Sequence, residues 1–182
     1  LGPSPALGKL DLKSVDLSLY PEPHSETLGR AIAEHEGLAA EQVVVTRGAD
    51  EALELLVRAF ATPQGSLAYA VPSFERYPML GPQFGLRHTP VPLRGMKDLD
   101  VDGLLATKAS VVLVANPNNP TGTRLSGGEL ERLVANHPGI VAVDEAYIEY
   151  AGLRHSMLQM VQRSPNLVVL RTFSKAYALA GL

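Results

Sequence analysis

The sequence predicts an α/β fold of three layers, α/β/α, built around a mostly parallel sheet. Three observations predict it. Short runs at 66–71, 111–115, 140–143 and 167–170 are apolar almost throughout, the pattern of strands covered on both faces. Stretches of helical periodicity alternate with these runs, as in a parallel sheet whose crossovers are helices. Finally, the runs end in polar turns, the edge at which sheets of this kind hold ligands.

Taken in order, residues 1–24 are rich in proline and lack a steady period, so they read as an extended N-terminal arm, with the main domain following over 25–182. Ser25 is placed to cap a helix that runs to Glu36 and stops at Gly37. Residues 43–46 read as a short strand, followed by the turn Arg47-Gly-Ala-Asp-Glu51 and a helix with Leu53, Leu56, Val57 and Phe60 on one face. A glycine turn entering a helix leaves backbone N–H groups free at the positive end of the helix dipole, which suits a phosphate. Asp50 can equally serve there as the helix N-cap.

The run 66–71 leads to Pro72-Ser-Phe-Glu-Arg-Tyr77, then a strand over 87–93 and a helix over 98–106. The run 111–115 enters Asn116-Pro-Asn-Asn-Pro-Thr-Gly122, whose prolines and glycine restrain the backbone and so hold its polar side chains in place. Ser126-Gly-Gly-Glu129 has the form of a capping box for a helix to Asn136. The run 140–143 delivers Asp144, a carboxylate that needs a partner if buried, with Tyr147 three residues on. A helix over 156–163 returns to 167–170, and Arg171-Thr-Phe-Ser174 then leads to Lys175 among small and apolar residues. A lysine held in such a setting is available as a nucleophile. The turn at Gly48, Asn119, Asp144 and Lys175 therefore gather at one edge of the sheet.

Composition narrows the alternatives. The chain has 182 residues, enough for one domain with a sizeable core, and a net charge of −3 that gives no electrostatic case for nucleic acid or an anionic membrane. With zero cysteines it has no thiolate ligand, thiol nucleophile or disulfide, and its five histidines, at 24, 35, 88, 137 and 155, lack metal-ligand spacing and read as solvated or capping residues. An Asp144-Glu145 metal pair or Walker-B acid is the rival reading of that strand end, but no Gly-x-x-x-x-Gly-Lys-Ser/Thr loop accompanies it. No apolar stretch approaches bilayer length and no secretory pattern opens the chain, so a cytoplasmic location is the expectation.

The stretches 116–122, 143–147 and 167–182, in that order, resemble the fold-type I aminotransferases that use pyridoxal 5′-phosphate (PLP), and the histidinol-phosphate aminotransferases most of all. The resemblance implies that Lys175 carries the cofactor covalently and later moves the substrate proton. It implies Asp144 at the pyridine nitrogen, and Asn119 and Tyr147 at the phenolic oxygen. Phe74 would stack on the ring, and the amides of Ala49 and Asp50 with the hydroxyls of Thr172 and Ser174 would hold the phosphate. The two hydroxyls can also be read as backbone caps, and Phe74 as core. Leu19-Tyr20-Pro21 resembles an Arg-Tyr-Pro segment of the family, with leucine in place of arginine, which would send Tyr20 into the site of a neighbouring subunit.

The implied reaction is amino transfer between histidinol phosphate and 2-oxoglutarate, in histidine biosynthesis, by a homodimer. Another PLP enzyme on the same scaffold, such as a threonine-phosphate decarboxylase, is the alternative. The opening Leu1-Gly-Pro-Ser-Pro5 resembles the middle of a family segment, and the family continues beyond Gly181-Leu182 into a phosphate-binding arginine. The expectation is thus a piece comprising most of the large domain, without the C-terminal small domain. Such a piece would be inactive or very weak alone, or a silent dimerisation module.

Overall fold

The computed structural model describes residues 16, 18–20, 22–61 and 64–180. The chain-terminal stretches 1–5 and 181–182, singled out above, lie outside them, as does most of the predicted arm. The helices are α1 (Glu26–Glu36), α2 (Gly48–Phe60), α3 (Arg76–Gln83), α4 (Val101–Thr107), α5 (Gly127–Asn136) and the single turn α6 (Ile148–Ala151). The strands are β1 (Ser66–Val71), β2 (Arg87–Pro92), β3 (Val111–Ala115), β4 (Ile140–Asp144) and β5 (Leu167–Leu170). They form one sheet in the order β2-β1-β3-β4-β5, and every pairing is parallel.

Strand pleating divides the apolar residues into two cores. Ala68, Val112, Val114, Val141 and Val143 face one layer, where Leu104 of α4 and Leu130 and Leu133 of α5 are packed. Leu67, Tyr69, Val111, Leu113 and Ala142 face the other, against Leu53, Leu56 and Val57 of α2 and Tyr77 and Leu80 of α3. Every residue of β3 is buried, which is why its sequence is apolar without alternation. The order of strands reverses direction between β1 and β3, since β2 lies outside β1 and the later strands extend the other way. A crevice opens at the carboxyl ends of strands at such a point.

Local details differ from the sequence expectations where a distant partner decides. Residues 43–46 are extended, as three valines favour, yet pair with no strand among the described residues, and Val44 is 78% exposed. Phe60 ends α2 at 46% exposure, one turn past the buried Leu53, Leu56 and Val57 face. Ser25 precedes α1 in a left-handed conformation and caps nothing, because the Glu22 carboxylate accepts the Thr27 N–H (2.8 Å) and hydroxyl (3.0 Å) instead. The Ser126–Glu129 box is also unformed, since Glu129 turns to accept the Leu99 N–H. The helix placed at 98–106 starts at Val101, with Asp100 as its cap accepting from Gly103 N–H at 3.0 Å. The stretch 157–163 is 3₁₀ rather than α, and Ser156 caps it. His137 is not solvated: it is the buried C-cap of α5, its N–H donating to the Leu133 carbonyl at 2.9 Å and its Nε2 2.9 Å from the Ala109 carbonyl, and burial pushes its pKa down.

Candidate active site

The carboxyl ends of β1, β3, β4 and β5, with the turn into α2, border a single cavity of about 210 Å³. Before β1, the chain turns at Gly48, whose φ of +74° favours glycine, and enters α2 directly. No side chain caps the first turn of α2, so the Ala49 and Asp50 amides stay available at the positive end of the helix, while the Gly48 N–H donates to the Thr46 carbonyl at 2.8 Å. Ser174 Oγ lies 4.0 Å from where a Gly48 Cβ would stand, so hydroxyl and helix terminus face each other. Asp50 is within the first turn, not the cap, and its side chain is exposed at the cavity. Arg47, at the rim, is paired with Glu51 at 2.8 Å.

After β1, Phe74 lines the cavity and packs edge-on against Tyr77, their ring centroids 5.8 Å apart. After β3, the loop is held by Asn118 rather than by proline alone. Asn118 is buried; its amide donates to the Pro72 carbonyl (2.8 Å) and Thr121 hydroxyl (2.9 Å), and its oxygen accepts from the Ser73 hydroxyl (2.8 Å). Its neighbour Asn119 is left lining the cavity.

Asp144 ends β4 with its carboxylate buried. Oδ2 accepts from the Tyr77 hydroxyl at 2.9 Å and Oδ1 from the Ala146 N–H at 3.1 Å. Burial raises its pKa above the usual carboxylate range; the two hydrogen bonds and Lys175 pull it back, while Asp50 adds to the rise. Tyr147 lies beside it, and the Lys175 ammonium is 5.5 Å from the centre of the Tyr147 ring. Thr172 Oγ1 accepts the Ser174 N–H at 3.1 Å, a local turn that leaves its own proton free to donate.

Ala49, Asp50, Phe74, Asn119, Asp144, Tyr147, Thr172, Ser174 and Lys175 thus all border one cavity. Tyr20 does not. It is 99% exposed and outside the lining. The sequence reading missed Tyr77 and Asn118. Tyr77 lies three residues after Phe74 on a helical turn, a spacing that could have placed both at one end of β1. Next to Asp144, Glu145 is fully buried, accepts from the Ser156 hydroxyl and Met157 N–H at 2.6 Å each, and is pushed up to about 7 chiefly by burial. Among the described residues no cluster of His, Asp or Glu could hold a metal ion, and no helix is long and apolar enough to cross a membrane.

A lysine amine, a buried carboxylate and an uncapped helix terminus thus meet at the strand ends of a parallel sheet in an α/β fold. The chain belongs to the family described as aminotransferase class I and II, whose model matches residues 7–182. Its curated relatives include "Histidinol-phosphate aminotransferase 2" of Idiomarina loihiensis, 37% identical over 98% of this chain and 52% of that protein. The histidinol-phosphate aminotransferase of Shewanella oneidensis is 40% identical over 97% of this chain and 45% of that one. The chain therefore spans about half the length of these relatives. Among solved structures, the Sinorhizobium meliloti histidinol-phosphate aminotransferase in complex with pyridoxal-5′-phosphate superimposes with a TM-score of 0.88 at 28% identity, covering 99% of this chain and 51% of that one. The L-threonine-O-3-phosphate decarboxylase of Porphyromonas gingivalis gives 0.77 at 26% identity, over 91% and 50%.

Proposed function

We propose that this chain binds PLP at Lys175 and, in a complete enzyme, serves amino transfer between histidinol phosphate and 2-oxoglutarate. The observation that carries the reading is the convergence of Lys175, Asp144 and the uncapped N-terminus of α2 on one cavity. These groups fit the cofactor's chemistry. The amides of Ala49 and Asp50 with the Thr172 and Ser174 hydroxyls suit its phosphate, and Phe74 offers a flat ring to its face. Asp144, a buried carboxylate bordering the cavity with both oxygens already fixed, suits a protonated ring nitrogen. Asn119 and Tyr147, both on the cavity wall, suit the phenolic oxygen as donors.

When bound, the cofactor supplies an electron sink; the protein supplies orientation and electrostatics. Asp144 keeps positive charge on the ring. Lys175 would first anchor the cofactor and then move the proton taken from the substrate Cα to C4′. The reading of the substrate rests on the relatives named histidinol-phosphate aminotransferase. The likeness to the P. gingivalis enzyme makes decarboxylation of a phosphorylated amino acid the second reading, and turnover of each substrate by the complete enzyme separates the two. The class works on an amino donor and a 2-oxo acid. A homodimer, with Tyr20 from one subunit reaching the other's cofactor, extends the proposal and agrees with the full exposure of that side chain.

The test is reduction with borohydride after incubation with PLP, followed by peptide mass spectrometry. A phosphopyridoxyl group on Lys175 alone supports the site, and Lys175→Ala abolishes it. Labels scattered over other lysines refute it.

A further inference from the structure

The chain alternates its polar residues between two sides at the ends of β4 and β5. Asp144, Tyr147 and Lys175 border the site cavity, whereas Glu145, Glu149 and Arg171 do not. Arg171 instead lines, with Ser156, a separate cavity of about 310 Å³. Its guanidinium donates from Nη2 to Glu149 Oε1 at 2.7 Å, and Nη1 lies 3.9 Å from Glu145 Oε2. Glu145 is in turn fixed by Ser156 and Met157. The backbone ladder between the two strand ends stops at one bond, from Glu145 N–H to the Leu170 carbonyl at 2.9 Å.

Beyond that bond, the segment carrying Lys175 supports itself only locally. Among the described residues, the hydrogen bonds of 172–180 run within the segment: Ser174 N–H to Thr172 Oγ1, Ala178 N–H to the Lys175 carbonyl, and Leu179 N–H to the Phe173 carbonyl. Arg171 is the last residue before this segment to be tied across to the β4 side. Its planar fork can serve two carboxylates at once, which a lysine ammonium does with less directional control. Arg171 Nε and Glu149 Oε2 have no hydrogen-bond partner among the described residues, so one charged bond and one longer ion pair carry the contact.

We propose that Arg171 is the positioning residue for Lys175. Held by Glu149 and Glu145, it fixes the stretch bearing the amine against the stretch bearing Asp144 and Tyr147. The inference rests on the cofactor role proposed for Lys175 and adds to it the group that sets where that amine stands. Arg171 touches neither cofactor nor substrate; it acts through the chain.

The experiment combines hydrogen–deuterium exchange without cofactor and borohydride labelling with PLP, on the full chain and its Arg171→Gln, Arg171→Lys and Glu149→Gln variants. Exchange over 172–180 is expected to rise roughly tenfold in Arg171→Gln and Glu149→Gln, the effect of losing one charged hydrogen bond, while β1 and β3 amides keep their rates. Labelling of Lys175 falls several-fold in the same variants, and Arg171→Lys restores part of both. Unchanged exchange over 172–180, equal acceleration across the whole sheet, or Arg171→Gln labelled as well as the unmodified chain overturns the proposal. Should Arg171→Gln fail to fold, Glu149→Gln decides alone, since it keeps the shape and removes only the charge. Absence of label on Lys175 in the unmodified chain refutes the cofactor reading instead, and the exchange data still judge the clamp.

Discussion

The hydroxyl of Tyr77 donates to the carboxylate of Asp144 across 2.9 Å, joining the layer of helices to the strand end that faces the cavity. Tyr77 is fully buried, and burial with the adjacent Asp144 charge pushes its phenol well above the ordinary value. It therefore stays protonated and remains a donor. Asp144 is pushed up by the same burial, and the Tyr77 bond is one of the few contacts favouring its charged form.

Tyr77→Phe removes one oxygen and keeps the ring against Phe74. The expected loss is about 1–2 kcal/mol, because a buried carboxylate loses one of its two donors. The Asp144 carboxyl should also move further up. Urea unfolding at pH 7 reads the first effect, and the pH dependence of the difference between Tyr77→Phe and the unmodified chain reads the second. A variant as stable as the parent at every pH would mean that Asp144 does not need the donor.

Asp144→Ala tests the carboxylate itself. In a complete enzyme turnover should fall by roughly 10²–10³, the scale of losing one preorganised electrostatic contact, with a smaller fall in PLP affinity. The phosphate contacts proposed for the α2 terminus would not involve this side chain, so binding should persist. Steady-state rates against a fluorescence titration of PLP make the comparison; equal turnover removes Asp144 from the mechanism.

Glu145 predicts a pH dependence of stability with a definite sign. Its folded pKa, about 7, lies above the ordinary glutamate value of 4.5, so the folded state binds the proton more tightly. That contribution is complete below about pH 4.5 and is lost as pH rises toward 7, with a slope of at most about 1.4 kcal/mol per pH unit. Glu145→Gln cannot titrate, so its stability relative to the unmodified chain should improve across this window. Thermal unfolding of both at intervals from pH 4.5 to 8 measures it, and parallel curves would show that Glu145 does not titrate there.

The parts legible in the sequence were those decided by residues close together along the chain. Uniformly apolar runs at 111–115 and 140–143 could only be strands covered on both faces, and the turns after them had to meet at one edge. Distant partners were invisible. Nothing within ten residues of Tyr77 announces a bond to a carboxylate 67 positions later. The valines at 43–46 specified extended backbone correctly but could not specify a neighbouring strand. Glu129 fitted a capping box and was drawn away by an amide at Leu99.

Asn118 and Asn119 are adjacent and identical in chemistry, yet the fold gives them opposite tasks. Asn118 makes three side-chain hydrogen bonds, two that hold the loop after β1 to the loop after β3 and one to Thr121 within the latter. Asn119 makes no side-chain hydrogen bond among the described residues and borders the cavity. Asn118→Ala should therefore cost about 2–4 kcal/mol, since it removes these bonds and strands the half-buried Pro72 carbonyl. Asn118→Asp should cost a similar amount, because a carboxylate would face that carbonyl in place of an amide donor. Asn119→Ala should stay within about 0.5 kcal/mol of the parent while weakening retention of PLP, as expected for a side chain that supports a ligand and not the fold. Chemical unfolding and PLP titration of the three variants separate the two effects. A stable Asn118→Ala would show that the prolines alone hold the loop, and a destabilised Asn119→Ala would move that residue from the site into the scaffold.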